Sequence, residues 1–230
     1  MPGIEASLRA VRARMGAAER ENGRAAGSAG LLAVSKTVPP AGLREAWEAG
    51  QRAFGESYVQ EALDKFAALA DLPIEWHFIG PLQSNKTRPV AANFAWVHSV
   101  DRLKIAQRLS EQRDVHLPPL NVCVQVNVSG EASKSGVAPD EARALVEAVA
   151  VLPRLRLRGL MCIPEPSNDA LVIRARFALL RSLRDDLNAA LGLDMDTLSM
   201  GMSDDMEMAI AEGATLVRVG SAIFGERPAA

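Results

Sequence analysis

Short apolar runs alternate with longer segments of helical periodicity along almost the whole chain, and this alternation restricts the possible folds more than any other feature. A short run rich in Val, Leu and Ile predicts a buried strand, and the longer segment after it predicts a helix that covers the strand. We predict strands at residues 31–35, 52–55, 76–80, 95–100, 120–128, 158–163, 197–200 and 216–219. Eight parallel strands are the number that closes a barrel of this type.

The segments between the strands agree with this prediction. Helices are predicted at residues 40–49, 59–69, 85–92, 101–113, 139–152, 170–191 and 204–212. Pro40 and Pro139 stand at helix starts, where proline is favoured, and Gly50 and Gly213 follow helix ends, where glycine is favoured. We therefore predict an α/β fold, a single (β/α)₈ barrel of the TIM type with an extra N-terminal helix. An open doubly wound sheet is the alternative, because strand order along the chain does not prove closure.

Composition excludes several classes of protein. The 230 residues are 48% hydrophobic and 23% charged, which excludes intrinsic disorder, and no apolar run reaches the roughly 18 residues that cross a bilayer. Residues 1–24 carry Arg and Glu among alanines, which predicts a helix rather than a signal peptide. No linker divides the chain, so we expect one domain over residues 1–230. The net charge of −2 gives no electrostatic case for nucleic acid, although residues 83–88 are basic.

Both cysteines, Cys123 and Cys162, lie in apolar strand-like runs without a CxxC spacing. This position predicts packed thiols rather than a disulfide, a metal site or a nucleophile. Reduced thiols are typical of the cytoplasm, so we expect a cytoplasmic protein and no bound metal.

Lys36 is the first candidate for chemistry, because it ends the first predicted strand. The active site of such a barrel lies at the C-terminal ends of the strands. An apolar wall around the Lys36 stem would lower the pKa of its amine, and an unprotonated amine attacks an aldehyde to form a Schiff base. Taken alone, the residue is also explained as a lysine that reaches solvent from a strand end.

Two further groups of residues end the seventh and eighth strands. Ser203 lies where a strand end meets a helix start, and backbone amides there can bind a phosphate. Its alternative role, shared with Asp204, is to cap the next helix. Arg218, Gly220 and Ser221 follow at the eighth strand and supply a charged guanidinium, a close backbone approach and a hydroxyl. Strands one, seven and eight are neighbours in a closed barrel, so these residues predict one phosphate-binding site with Lys36.

Two more residues are weaker candidates for the same pocket. His77 lies on the third predicted strand and could line it, although a core histidine with satisfied hydrogen bonds is an equal alternative. Met202 could pack on a ligand ring, with a plain core methionine as its alternative. The glycine-containing loop 130–136 lacks the GxxxxGK[ST] order of a P-loop, and no GxGxxG occurs, so a nucleotide site is excluded.

Motifs along nearly the whole chain carry a resemblance to a known family. They are AVSKTVP around Lys36, FGESYVQE from Phe54, WHFIGPLQSNK from Trp76, HSVD from His98, VNVSGEASKSG from Val126, RGLMCIP from Arg158, SMGMSDDMEMAIAEGAT from Ser199 and VRVGSAIFG from Val217. In order and number they resemble the pyridoxal phosphate homeostasis proteins, also called the YggS or PROSC family.

The resemblance implies the barrel of the alanine racemase N-terminal domain, with pyridoxal 5'-phosphate (PLP) held on Lys36 as a Schiff base. It also implies that Ser203, Gly220 and Ser221 hold the phosphate and that Arg218 faces the pyridine nitrogen. One departure is Ser57, where the family usually has asparagine, so a polar contact near the cofactor is expected to be shorter or water-mediated.

The resemblance favours binding of PLP over turnover. An arginine at the pyridine nitrogen opposes its protonation, which weakens the ring as an electron sink. In alanine racemase the second catalytic base is a tyrosine of an additional C-terminal β-domain, whereas this sequence ends at Ala230 and its one tyrosine is Tyr58. We therefore assign no catalytic residue and expect a protein of intracellular PLP homeostasis.

Two other functions stay open. One is a small PLP-dependent amino-acid racemase, and the other is a nonenzymatic interaction module that keeps the barrel as a scaffold. As partners we expect PLP and no nucleic acid or membrane, with the chain a monomer. Whether PLP passes on to PLP-dependent client enzymes is left open by the sequence.

Overall fold

The computed structural model describes residues 3–131 and 135–225, and its centre is a closed barrel of parallel strands. The strands are β1 (Gly30–Val34), β2 (Ala53–Glu56), β3 (Glu75–Phe78), β4 (Trp96–Val100), β5 (Leu120–Gln125), β6 (Leu155–Met161), β7 (Thr197–Ser199) and β8 (Leu216–Val219). Each strand pairs with its neighbour along the chain. β8 pairs with β1 over four residue pairs, from Gly30 with Leu216 to Ala33 with Val219. The predicted (β/α)₈ barrel is therefore confirmed, and the open doubly wound sheet is excluded.

Helices surround the barrel on the outside. They are α1 (Ile4–Glu21), α2 (Pro40–Glu48), α3 (Val59–Ala68), α4 (Thr87–Asn93), α5 (Leu103–Gln112), α6 (Ala142–Ala150), α7 (Ala170–Leu191), α8 (Met206–Ala211) and α9 (Ser221–Phe224). α1 is the predicted extra N-terminal helix. It buries Leu8, Val11 and Met15 and contacts α2, α8 and α9. Nowhere in the described ranges is there a helix with both the length and the apolar character to span a membrane.

Several element boundaries differ from the prediction. β6 begins at Leu155, three residues before the predicted start, because residues 155–157 pair with β5 although the exposed Arg156 interrupts the apolar pattern there. The predicted helix 85–92 is a 3₁₀ turn, Ser84–Lys86, followed by α4. The helix predicted from residue 139 begins at Ala142.

The two cysteines lie in the packed interior. Cys123 packs with Trp96 and Met161, and Cys162 belongs to the main hydrophobic core. Both are free thiols, and burial raises the pKa of each to about 12. A thiol with such a pKa is protonated at neutral pH and is a poor nucleophile, as expected for a packing role.

Candidate functional site

A cavity of about 830 Å³ opens at the C-terminal ends of the strands. Its walls come from the residues that follow β1, β2, β3, β6, β7 and β8. The lining residues are Val34, Lys36, Ser57, Tyr58, Ile79, Gly80, Pro81, Ile163, Met202, Ser203, Asp204, Arg218, Gly220 and Ser221. The structure therefore brings together seven of the eight predicted site residues, from distant parts of the chain, and leaves out His77.

Lys36 lies two residues beyond the end of β1, and both peptide groups that flank it are held by charged side chains. The Lys65 ammonium donates to the Ser35 carbonyl at 2.7 Å, and the Thr37 N–H donates to Glu61 Oε1 at 2.5 Å. Thr37 has a φ of 65°, a left-handed conformation that costs a non-glycine residue on the order of 1 kcal/mol. The backbone at Lys36 is thus fixed by contacts that do not involve its own side chain.

These contacts belong to a buried charged cluster of Ser35, Glu56, Glu61 and Lys65, here called the Lys65 cluster. Lys65 Nζ lies 2.7 Å from Glu56 Oε1 and 2.6 Å from Glu61 Oε1. The Ser35 hydroxyl donates to Glu56 Oε1 at 2.6 Å. Burial raises the pKa of Glu56, while Lys65 lowers it. Glu56 Oε2 is buried without a hydrogen-bond partner among the described residues. The charge of Lys65 is therefore needed to stabilise the buried Glu56 carboxylate.

The loops after β7 and β8 meet at two serines. The Ser221 hydroxyl donates to Ser203 Oγ at 3.1 Å, and the Ala222 N–H lies 3.4 Å from the same oxygen. Arg14 of α1 donates to the Ser203 carbonyl at 3.1 Å, which ties the loop to the N-terminal helix. Ser203 and Ser221 both line the cavity, so two hydroxyls meet there from adjacent loops, an arrangement suited to a phosphate.

The turn that carries Ser203 requires a glycine. Gly201 has a φ of 93°, and a Cβ there would lie 2.5 Å from the Ala209 Cβ. Asp205 accepts a hydrogen bond from the Met202 N–H at 2.6 Å. No side-chain cap starts α8, so the described contacts do not support a helix-capping role for Ser203 or Asp204.

Arg218 reaches the cavity floor from β8 and is only 3% exposed. Its guanidinium donates to Ser199 Oγ and to the Cys162 carbonyl, both at 2.8 Å. Burial lowers the pKa of Arg218, but an arginine starts from so high a value that it stays charged at neutral pH. A fixed positive charge thus lies on one side of the cavity.

His77 lies in the barrel interior and is not among the residues that line the cavity. Its Nδ1 is 2.9 Å from His98 Nε2, and its Nε2 is 2.8 Å from Glu75 Oε1. The ring also stacks on Trp96, with centroids 5.2 Å apart. Both ring nitrogens have partners, so His77 is the core histidine with satisfied hydrogen bonds that the sequence left as its alternative.

Several lining residues were missed by sequence reasoning. Tyr58 is 56% exposed beside Ser57, and Gly80 packs on the Ser57 backbone, since a Cβ at Gly80 would clash with it. Ile163 closes the opposite side after β6. The signal that could have found them is position, since each follows the end of a strand.

Comparison with known proteins yields relatives over the whole chain. A family model described as "Alanine racemase, N-terminal domain" matches residues 7–228. A "Pyridoxal phosphate homeostasis protein" of Pseudomonas aeruginosa is 64% identical over 227 residues, which cover 99% of this chain and 97% of that protein. A protein of the same description from Vibrio cholerae is 54% identical over 231 residues, or 99% of this chain and 98% of that protein.

Solved structures agree with these matches. PipY of Synechococcus elongatus with PLP bound superposes with a TM-score of 0.85 at 39% identity, covering 96% of this chain and all of that chain. The alanine racemase of Corynebacterium glutamicum has a TM-score of 0.69 at 18% identity, and the match covers 97% of this chain and 62% of that one. At this identity the second likeness concerns the fold alone.

Proposed function

The chain belongs to the family of pyridoxal phosphate homeostasis proteins, whose barrel is that of the alanine racemase N-terminal domain, and from this premise we propose that it binds PLP at the mouth of its barrel. The observation that carries the proposal is the convergence of Lys36, Ser203, Ser221 and Arg218 on one cavity. PipY, which is similar over its whole length, is described with PLP bound.

The donor set fits the three functional groups of PLP. An amine matches the aldehyde, two hydroxyls beside backbone amides match the phosphate, and a guanidinium matches the pyridine nitrogen. The cavity also falls in the size range of small-molecule sites, roughly 300 to 1,000 Å³. Gly220, Met202 and Ser57 line the same cavity and complete the proposed contacts with the cofactor.

Lys36 is the proposed covalent anchor. Its amine would hold PLP through a reversible C=N bond to the aldehyde carbon, and one water molecule would be released as the bond forms. Reversibility is what a buffering protein requires, because the same bond that retains the cofactor can release it. The Lys65 cluster fixes the backbone on both sides of Lys36, so the Lys36 side chain starts from a defined Cα position.

Arg218 supports binding without turnover. A guanidinium at the pyridine nitrogen disfavours a proton there, since two positive charges in a buried pocket repel each other. The ring then stabilises negative charge at a substrate carbon poorly. We propose a role in intracellular PLP homeostasis, with PLP-dependent enzymes as the recipients of released cofactor.

The test is a titration of the purified protein with PLP. Wild type should develop an absorption band near about 420 nm, and Lys36→Ala should lack it. Lys104→Ala, which changes an exposed lysine of α5, is the matched control and should behave as wild type. A band of full intensity in Lys36→Ala would show that another lysine carries the cofactor.

Racemisation is the second candidate function, because the hydroxyl-bearing Tyr58 lines the same cavity as Lys36. Incubation of the PLP-loaded protein with L-alanine in deuterated water separates the two functions. Binding without turnover predicts no α-deuteration or D-isomer by NMR and chiral chromatography. Exchange of the α-hydrogen for deuterium at about 1 per second or faster would establish a racemase instead, provided that Tyr58→Phe abolishes this exchange.

A further inference from the structure

A continuous chain of hydrogen bonds crosses the barrel interior and ends at Arg218. Glu75 Oε1 lies 2.8 Å from His77 Nε2, and His77 Nδ1 lies 2.9 Å from His98 Nε2. His98 Nδ1 lies 2.7 Å from Ser199 Oγ, which accepts from Arg218 at 2.8 Å. Glu75 is the first residue of β3 and is 54% exposed, so the chain links the N-terminal end of the barrel to the cavity floor. We call Glu75, His77, His98 and Ser199 the histidine relay.

An ionised Glu75 and two neutral imidazoles together determine the direction of every hydrogen bond in the relay. Glu75 can only accept, so a neutral His77 donates from Nε2 and accepts at Nδ1. A neutral His98 then donates from Nε2 to His77 and accepts at Nδ1. Ser199 therefore directs its hydrogen to His98 Nδ1 and accepts from Arg218, which can only donate. All four bonds are satisfied together when both imidazoles are neutral and carry the proton on Nε2.

The surroundings of the two rings support the neutral form. His77 is 2% exposed and His98 is fully buried. Burial lowers the pKa of both, and for His98 the neighbouring His77 and Arg218 lower it further. Glu75 acts against burial, because its negative charge and hydrogen bond raise the pKa of His77. The hydrogen bond from His77 in turn lowers the pKa of Glu75. The anion at one end and the guanidinium at the other thus remain charged, with neutral imidazoles between them.

We propose that the histidine relay consists of positioning residues that hold the Arg218 guanidinium in one orientation at the cavity floor. Ser199 is the direct support, because it takes one N–H of Arg218 and, through His98, is itself kept from rotating. The remaining edge of the guanidinium then faces the cavity, where Arg218 is among the lining residues. This inference rests on the proposed function only where it assigns the ring nitrogen of PLP as the group that Arg218 meets.

The first test uses the ligand-free protein and is therefore independent of PLP. The chain has three histidines, so the imidazole signals in a long-range ¹H–¹⁵N correlation spectrum of uniformly labelled protein are few, and the exposed His116 provides a reference signal. At neutral pH, His77 and His98 should both be neutral Nε2–H tautomers. In Glu75→Ala, which alters an exposed residue, the His77 and His98 signals should both shift. A charged ring, an Nδ1–H tautomer at His98, or a His98 signal unchanged in Glu75→Ala would overturn the relay.

The second test measures the effect on the cofactor. Ser199→Ala should weaken PLP binding roughly tenfold, the loss expected for one hydrogen bond to a charged group, and should shift the signal of ¹⁵N in the PLP ring. Ser110→Ala is the matched control, because Ser110 is also a buried serine, and its hydroxyl donates to the Pro153 carbonyl, away from the cavity. Equal behaviour of the two variants would overturn the positioning role. If the wild-type protein bound no PLP, the proposed function would be wrong. The imidazole spectra would still show whether the hydrogen bonds of the histidine relay are present.

Discussion

Two buried polar networks lie beneath the cavity, and they support it in different ways. The Lys65 cluster uses formal charges and holds the peptide groups on either side of Lys36. The histidine relay passes through two imidazoles and holds a side chain, the guanidinium of Arg218. One network therefore fixes the backbone on either side of Lys36, whereas the other fixes the Arg218 side chain itself.

The difference matches what each supported group has to do. An amine that forms and breaks a bond to an aldehyde must change geometry, so only its backbone can be fixed. A guanidinium that meets a ring nitrogen acts through orientation and charge, so its head group must be fixed. The energetic consequences also differ, because loss of the Lys65 charge leaves the buried Glu56 carboxylate unpaired, while the relay has neutral members in its middle.

The largest expected effect on stability comes from the Lys65 cluster. Lys65→Met should lower the free energy of unfolding by about 3 to 5 kcal/mol, since it leaves Glu56 and Glu61 without their cation. Urea denaturation followed by circular dichroism measures the change. Lys104→Met is the control on the surface and should stay within about 0.5 kcal/mol of wild type.

The same network offers a second, sharper measurement. If the loss in Lys65→Met arises from an unpaired buried carboxylate, then Lys65→Met combined with Glu56→Gln should recover part of it. A double variant no more stable than the single one would mean that packing around Lys65, and not charge, dominates the cluster.

Ser203 and Ser221 belong to neither buried network, so their effect on PLP binding is a reference against which the effects of the two networks can be compared. Ser203→Ala and Ser221→Ala should each cost about 1 to 3 kcal/mol of PLP binding, the range for a hydrogen bond to a charged phosphate. Isothermal titration with PLP measures this cost. Pyridoxal, which lacks the phosphate, should bind all three proteins weakly and alike, and tight binding of pyridoxal to wild type would remove the phosphate assignment.

The two networks should respond to acid in opposite directions. Burial lowers the pKa of His77 and His98 below 6.5, so the unfolded chain binds their protons first. The stability they contribute is present above pH 6.5 and is lost as the pH falls from there through the folded pKa values, by up to about 1.4 kcal/mol per pH unit for each histidine. Burial raises the pKa of Glu56 above 4.5, so the folded protein binds that proton first and gains stability as the pH falls through this higher pKa.

Urea denaturation at a series of pH values between 7.5 and 5.5 separates these contributions. His98→Gln should reduce the slope of stability against pH, because one of the two histidines that take up a proton on unfolding is gone. An unchanged slope in this variant would mean that His98 is already charged in the folded protein, which the relay does not allow.

Much of the fold could be predicted from the sequence, because strand and helix periodicities alternate cleanly. The bounds of α7 and β8 agree with the prediction to the residue. The start of β6 was missed, since residues 155–157 pair with β5 although the exposed Arg156 interrupts the apolar run. Periodicity reports burial, so a strand end that is held by backbone pairing and carries an exposed side chain is hidden from it.

The cavity residues were predictable to a smaller extent. Lys36, Ser203 and Arg218 stand at strand ends, where the fold itself indicates a site. His77 also stands on a strand, but how deep its side chain lies in the barrel depends on strand registers that periodicity does not determine. The Lys65 cluster and the histidine relay were not predicted, because each joins residues of two or more elements through side-chain geometry.

The central claim is that Lys36 carries PLP, and the most direct measurement is borohydride reduction of the PLP-loaded protein followed by peptide mass mapping. Reduction converts the C=N bond to a stable C–N bond, so the modified residue can be identified after proteolysis. If Lys36 forms the Schiff base, we expect one major phosphopyridoxyl adduct, on the peptide that contains Lys36. An adduct chiefly on another lysine, or no adduct at saturating PLP, would contradict it.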